Sequence, residues 1–287
     1  SSVSISAGGT YEIQGESASV TIAVLAEVAD DVTIILNNSR FMSLDLQSTG
    51  TNVVTLADSS SNTLSAGESG ISATNVTING AGSLAITESL NYGIYASDDI
   101  VIEDGDINIE SEGSGIYTRH DSNADNANVT INGGTLNLVT SQEEGSAAIL
   151  AGNTLTINNG TITVDSSYQA YVAKSIVVNG GTATLSATAD GVYSQDPFYT
   201  EGAANETAIT LNGGATTVVA GGNGLATSGS LAIAGGEYHF SSTSPASNAI
   251  YYEGDFSLTG GTLIGLGAQG ISQNFTSAEQ LVLWVDV

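Results

Sequence analysis

The decapeptide Val129-Thr130-Ile131-Asn132-Gly133-Gly134-Thr135-Leu136-Asn137-Leu138 contains two short segments of alternating apolar and polar residues, joined by an Asn-Gly-Gly turn. Alternation with a period of two is typical of β-strands, and asparagine and glycine adopt the positive φ angles of tight turns at little cost. The same frame returns at 155–164, 176–185, 209–218, 231–240 and 256–265, with looser copies at 76–86 and 100–109. A strand pattern that recurs with a period of a few tens of residues indicates a solenoid.

A second apolar marker follows each copy of this frame after a polar loop. Examples are Gly93-Ile94-Tyr95, Gly115-Ile116-Tyr117 and Gly191-Val192-Tyr193. Each period therefore holds three short strands, which predicts an all-β fold whose repeating unit is one coil of a three-faced parallel β-helix. Alternate side chains of a strand point to opposite faces. We therefore expect Val129 and Ile131 to stack on Leu155 and Ile157 of the next coil, and Leu136 to stack on Ile162.

The turn asparagines form another periodic feature. They occupy one turn position in successive coils, at residues 79, 132, 158, 179 and 212. Side-chain amides in such an array can hydrogen-bond from coil to coil as a ladder. The pattern therefore predicts a structural role for these asparagines rather than ligand contacts.

A single domain over residues 1–287 accommodates all of these features, because each coil of a solenoid packs only on its neighbours. Residues 1–75 keep the strand rhythm without the Asn-Gly-Gly frame, and we expect them to form the N-terminal coils and a cap. Residues 76–272 are the regular coils. Residues 273–287 are predicted to be a C-terminal strand or cap. Within them, the apolar run 281–287 either closes the last coil or pairs with another subunit.

The charge of the chain is strongly negative. It carries 30 acidic residues against Arg40, Arg119 and Lys174, for a net charge of −27. Three cations cannot neutralise a phosphate backbone, which excludes nucleic-acid binding. No run approaches the roughly 18 apolar residues of a membrane-spanning helix. The small polar start without methionine predicts an exported chain, either secreted and extracellular or held at the cell surface.

Four tyrosines are the candidate ligand-binding residues. Tyr95, Tyr117, Tyr193 and Tyr251 occupy the same outward position of the third strand. An exposed aromatic stripe can bind sugars, whose C–H faces pack on aromatic rings while their hydroxyls bond to flanking polar groups. A tyrosine stack that only stabilises this face explains the same spacing, so both interpretations stay open.

Acidic residues follow the same strand in two successive coils. Calcium binds six to eight oxygens, and strands of adjacent coils lie about 4.8 Å apart. Asp98 and Asp99 in one coil and Asp121 and Asp125 in the next are therefore candidate calcium ligands. A solvated acidic edge is the alternative.

Several stretches resemble, in order, a family of secreted bacterial carbohydrate-binding β-helix proteins typified by a clostridial cellulose- and pectin-binding protein. These stretches are Gly9-Thr10-Tyr11-Glu12-Ile13-Gln14-Gly15, Val32-Thr33-Ile34-Ile35-Leu36, residues 53–64 and residues 80–86. The resemblance implies a right-handed parallel β-helix similar to polysaccharide lyases, with bound calcium. It also implies that Asp190, in Asp190-Gly191-Val192, is a calcium ligand. The family's Gly-Asp-Gly-Ile element survives clearly only at that point.

Catalytic patterns are weak in this chain. A lyase needs a base near the sugar, and Arg119 and Lys174 lie at equivalent positions two coils apart, but two isolated cations also serve as ion-pair partners. We therefore predict a non-enzymatic extracellular protein that binds cell-wall or matrix polysaccharide with calcium. The alternative is a structural or adhesive protein that assembles end to end into a filament or biofilm matrix, through its coil ends and its C-terminal strand. A polysaccharide lyase is a minor alternative.

Overall fold

The computed structural model of the protein describes residues 1–119, 126–196 and 206–268, together with the backbone of residues 277–278. This part of the chain forms 28 strands and no helix, and the strands stack in parallel as a β-solenoid of about 11 turns. The predicted all-β parallel β-helix is therefore confirmed. The strands are Ser2–Ile5, Gly9–Val24, Val32–Leu46, Asn52–Leu56, Ser61–Ser65, Ser69–Ala73, Val76–Asn79, Ser83–Ser89, Tyr92–Ala96, Ile100–Ile102, Asp106–Ser111, Ser114–Thr118, Val129–Ile131, Thr135–Val139, Ala147–Ile157, Thr161–Ser166, Gln169–Val178, Thr182–Ala187, Val192–Ser194, Ala208–Leu211, Ala215–Ala220, Leu225–Thr227, Ser230–Ile233, Glu237–Ser242, Ile250–Tyr252, Phe256–Leu258, Thr262–Leu266 and Ser277–Ala278.

Three series of strand pairs define three faces, as the sequence predicts. The pre-turn face holds the strands before the Asn-Gly-Gly turn, such as Val129–Ile131, which pairs with Ile100–Ile102 of the preceding coil. The post-turn face holds the strands after it, such as Thr135–Val139, which pairs with residues 106–110. The third series contains Tyr92–Ala96 and its equivalents, and we call it the tyrosine face.

The core is a set of aliphatic columns inside the coils. Val129 pairs in register with Leu155, Ile131 with Ile157 and Leu136 with Ile162. All six side chains are buried, which confirms the predicted stacking. Because each apolar side chain lies directly over one of the next coil, burial of this area from water is the main source of stability.

The turns repeat as closely as the strands. Gly134 has φ +81°, and a Cβ atom at this residue would come within 2.6 Å of the Gly105 carbonyl oxygen of the preceding coil. The amide of Asn158 donates to the Asn132 side-chain oxygen at 2.7 Å, and that of Asn179 donates to Asn158 at 2.8 Å. Asn212 continues this series, and Asn132 donates to Glu103 at its start. The predicted asparagine ladder is thus confirmed for the four asparagines from 132 to 212.

The first coil leaves part of a strand edge unpaired. Ser2–Ile5 pairs with residues 21–24, and so covers the first coil only on the tyrosine face. Residues 9–17 pair along one edge with the second coil, and no strand in the described residues pairs with their other edge. The predicted C-terminal strand 281–287 lies outside the described residues.

Candidate functional site

One outward column of the tyrosine face carries all four predicted tyrosines. The strand registers place them in the series Ala23, Asp45, Ser72, Tyr95, Tyr117, Leu150, Val172, Tyr193, Ala226 and Tyr251. The side chains point outward because those on either side of each one in its strand, such as Ile94 and Ala96, are buried in the core. The structure interrupts the predicted stripe, however: Leu150 and Val172 separate Tyr117 from Tyr193.

Tyr95 and Tyr117 belong to a compact aromatic cluster. Tyr92, at the start of the same strand as Tyr95, packs against both of them, with ring centroids 5.5 Å from Tyr95 and 4.7 Å from Tyr117. The rings of Tyr95 and Tyr117 are 5.7 Å apart. Burial raises the pKa of Tyr117 to about 12, and Arg119 opposes this shift. Burial also raises the pKa of Tyr92, so the hydroxyls of Tyr92 and Tyr117 are protonated at neutral pH and can donate hydrogen bonds.

A groove of about 590 Å³ lies over the interruption in the tyrosine column. Leu150 and Val172 form its floor, and Tyr117 and Tyr193 stand at its two ends. We call it the tyrosine groove. Its lining residues are Tyr117, Glu144, Gly145, Leu150, Tyr168, Gln169, Val172, Ala189, Asp190, Tyr193 and Gln195. Its volume lies within the range of small-ligand sites.

The walls of the groove are polar and bear negative charge. Tyr168 and Gln169 come from the loop and strand start before the floor residue Val172, and Glu144 comes from the loop before Leu150. At the far end, burial raises the pKa of Tyr193, and the nearby negative charge of Asp190 adds to the rise. The groove therefore offers an apolar floor, stacking rings and hydrogen-bonding side chains together.

The tyrosine beyond the groove is differently placed. Tyr251 is separated from Tyr193 by Ala226 in the outward column. Its hydroxyl donates a 2.5 Å hydrogen bond to Glu253, and this bond is the first cause of its raised pKa. Tyr252, its neighbour, is buried in the core with its ring edge-on to Phe256. We therefore count Tyr251 as an outlying member of the column.

The predicted calcium ligands are not gathered at one place. Asp98 and Asp99 follow the strand Tyr92–Ala96, whereas Asp190 precedes the strand Val192–Ser194. Asp98 and Asp99 therefore lie at the edge of the tyrosine face where its strands end, and Asp190 lies at the edge where they begin. Asp121 and Asp125 lie outside the described residues. Within the described residues, no three carboxylate or imidazole groups are close enough to share a metal ion.

Two of these aspartates form hydrogen bonds between loops of adjacent coils. The Asp99 carboxylate accepts from the backbone and side-chain N–H groups of Asn128, at 2.9 and 3.0 Å. Asp190 accepts from the same two groups of Asn223, at 2.5 and 3.0 Å. Burial raises the pKa of Asp190, and the two bonds from Asn223 oppose the rise. Calcium binding, with Asp98, Asp99, Asp121, Asp125 and Asp190 as ligands, stays a prediction.

Sequence reasoning missed the walls of the groove. It identified the end residues Tyr117 and Tyr193, but not Tyr168, Gln169 or Glu144. A signal was available, since Leu150 and Val172 occupy the tyrosine position in two consecutive copies of the third-strand marker. Two consecutive short side chains between larger ones predict a hollow.

The fold and the groove together define a β-solenoid with a grooved face that carries a column of tyrosines. A family model described as carbohydrate-binding domain-containing protein matches residues 1–263, and the chain belongs to this family. No curated protein and no solved structure gives a significant match. Family membership supports carbohydrate binding, and no helix in the described residues is long and apolar enough to cross a membrane.

Proposed function

We propose that this chain is an extracellular or cell-surface protein that binds polysaccharide, and that the sugar chain lies in the tyrosine groove. The observation that carries the proposal is the placement of Tyr117 and Tyr193 at the two ends of a preformed groove with polar walls. The family assignment supports the class of ligand.

The geometry suits a sugar chain that runs along the solenoid axis. Neighbouring coils are about 4.8 Å apart, so Tyr117 and Tyr193, three coils apart, are separated by roughly 14 Å along the axis. Two rings at this spacing can pack against the C–H faces of separate sugar units of one chain. Gln169 and Gln195 can donate and accept hydrogen bonds with the sugar hydroxyls between them. The floor and the two end tyrosines belong to the sheet, so little ordering cost opposes contacts with them.

The proposed activity is binding without chemistry. The described residues that line the groove include no lysine, arginine or histidine that could act as the base of a lyase. Arg119, which interacts electrostatically with Tyr92 and Tyr117, is not among the residues that line the groove. We expect no new reducing ends and no unsaturated sugars after long incubation with any polymer that the protein binds. Either product would refute the non-enzymatic proposal.

The test is retention on a panel of insoluble polysaccharides, with wild type compared with Tyr117→Ala and Tyr193→Ala. Removal of a central aromatic contact costs about 1–2 kcal/mol in typical binding sites, so affinity should fall about tenfold or more. Val219→Ala is the matched control, because this exposed apolar side chain lies on the post-turn face. Equal retention of all four proteins would refute the groove as the binding site. No retention of wild type on any polymer would refute the function itself.

A second candidate function is end-to-end assembly of coils. It is favoured by the edge of residues 9–17 that no described strand pairs, since open edges recruit further strands. Light scattering of the full chain and of a chain that lacks residues 281–287 tests this proposal. Concentration-dependent growth that disappears with the truncation supports it, and a monomer in both cases refutes it.

A further inference from the structure

The tyrosine column is replaced by aliphatic side chains at two consecutive coils. Leu150 and Val172 pair in register with each other, between Tyr117 on one side and Tyr193 on the other. Val172 is 5% exposed although it points outward, because neighbouring side chains cover most of it, so the partly exposed Leu150 supplies most of the apolar surface of the groove floor. The floor of the groove is therefore a small, sheltered apolar surface rather than an open strip.

An unsubstituted sugar can contact this floor favourably only through its C–H groups. Sugar hydroxyls that are placed over Leu150 and Val172 lose their bonds to water and find no partner below them, which costs free energy. The chemistry of the floor favours a methyl group, which gains from burial against aliphatic carbon. A ligand that presents a methyl group at this point is therefore expected to bind better than its unsubstituted equivalent.

The groove walls specify the rest of the substituent. Gln169 and Gln195 carry amide groups that can donate a hydrogen bond to a carbonyl oxygen. Glu144 and Asp190 are acidic, and the described lining residues include no cation. An anionic substituent would therefore meet repulsion without a compensating charge. A neutral group with one carbonyl and one methyl matches both the walls and the floor.

We infer that the tyrosine groove selects sugars that bear acetyl groups, with the acetyl methyl packed on Leu150 and Val172 and its carbonyl oxygen bonded to a glutamine amide. The shared chemistry is the acetyl group, either as an ester on a sugar hydroxyl or as an acetamide on an amino sugar. This inference rests on the proposed function and names the substrate class of the same site.

The test compares matched ligands by isothermal titration calorimetry. The first pair is an acetylated xylan free of uronic acids and the same xylan after alkaline deacetylation, which differ only in the ester and are both uncharged. The second pair is oligomers of N-acetylglucosamine and of glucose of equal length. One buried methyl group changes discrimination by about tenfold or more, so wild type should prefer the acetylated member of at least one pair by this factor. The pair that shows the preference identifies the ester or the acetamide.

Variants locate the preference on the groove floor. Leu150→Tyr fills the hollow, and Leu150→Asn makes its floor polar without added bulk, so each should reduce the preference to near unity. Ala23→Tyr is the control, because Ala23 occupies the same outward column three coils before Tyr95 and lies outside the groove. Ala23→Tyr should keep the wild-type preference, and thermal melting checks that all variants are folded.

Each outcome decides a different claim. Glycan binding without acetyl preference in either pair overturns this inference and leaves the proposed function standing. A preference that both Leu150 variants retain also overturns it, since the acetyl group then binds elsewhere. No binding to any of the four ligands or to the polysaccharide panel overturns both the inference and the proposed function.

Discussion

Replacement of Tyr171 by phenylalanine should stabilise the protein. Tyr171 lies in the inward column of the tyrosine face, in register with Ile149 and Val192, and is 1% exposed. No donor or acceptor within the described residues lies within hydrogen-bonding distance of its hydroxyl. The ring fills core space like the aliphatic side chains around it, whereas the hydroxyl has lost its water and gained no partner.

The size of the effect follows from two opposing terms. A buried polar group without a partner costs about 1–3 kcal/mol, and phenylalanine removes this cost. The missing oxygen leaves a space smaller than a methyl group, so the cavity penalty stays below about 1 kcal/mol. The free energy of unfolding should therefore rise by about 1 kcal/mol, which corresponds to roughly 2–4 °C in melting temperature for a domain of this size.

Tyr238→Phe is the matched comparison. Tyr238 is also fully buried, but its hydroxyl donates a hydrogen bond to the Gly213 carbonyl at 2.5 Å. Its removal leaves that carbonyl without a donor and should cost about 1 kcal/mol. Urea unfolding followed by circular dichroism measures both variants, with transition slopes compared because repeat proteins can lose two-state behaviour. A loss of stability in Tyr171→Phe equal to that in Tyr238→Phe would refute the reasoning, since it would require a partner for the Tyr171 hydroxyl.

Four further predictions concern the turns, the pH dependence and the metal. Asn158→Ala removes two rungs of the ladder, to Asn132 and Asn179, and should lower the free energy of unfolding by about 1–2 kcal/mol in urea titrations. Gly134→Ala places a Cβ atom at positive φ against a carbonyl oxygen of the preceding coil. The free energy of unfolding should fall by about 2 kcal/mol or more, which thermal melting measures as a lower melting temperature. Burial raises the pKa of Tyr171, so ionisation of this residue does not affect the unfolding free energy below pH 10. Above it, only the unfolded chain releases this proton, and the unfolding free energy falls by up to about 1.4 kcal/mol per pH unit as the pH rises toward the raised value. Tyr171→Phe should therefore flatten the alkaline decline in unfolding free energy. If calcium binds, chelator should lower the melting temperature and added calcium should restore it, and unchanged melting would refute the calcium prediction.

The fold could be predicted because the inward pattern repeats in every coil. Val129 and Leu155 have the same position in their frames, so their stacking follows from the repeat alone. The asparagine ladder follows in the same way, because Asn132 and Asn158 occupy one turn position. A repeat of this kind determines register, and register determines which side chains of a strand enter the core.

The groove could be predicted only in part. The end residues Tyr117 and Tyr193 belong to the repeat, so the sequence predicts that they share one outward column. The wall residues Tyr168 and Glu144 come from loops between faces, and those loops vary in length without a period. The two hydrogen bonds from Asn223 to Asp190 depend on the path of such a loop, so the repeat alone could not predict them. The assignment of Asp190 as a calcium ligand stays a prediction.

The architecture separates the requirements of folding from those of recognition. In the tyrosine face, the inward column runs through Ile94, Ile116 and Ile149 without a break, while the outward column changes from tyrosine to leucine at Leu150. A substitution in the outward column changes the outer surface over one coil only, about 4.8 Å along the axis, and leaves the core column intact. Each coil therefore contributes one outward position that can change without loss of the core. Under the proposed function, the order of these outward residues sets which ligand groups the face can contact, and the aliphatic pair Leu150 and Val172 supplies the apolar contact between Tyr117 and Tyr193.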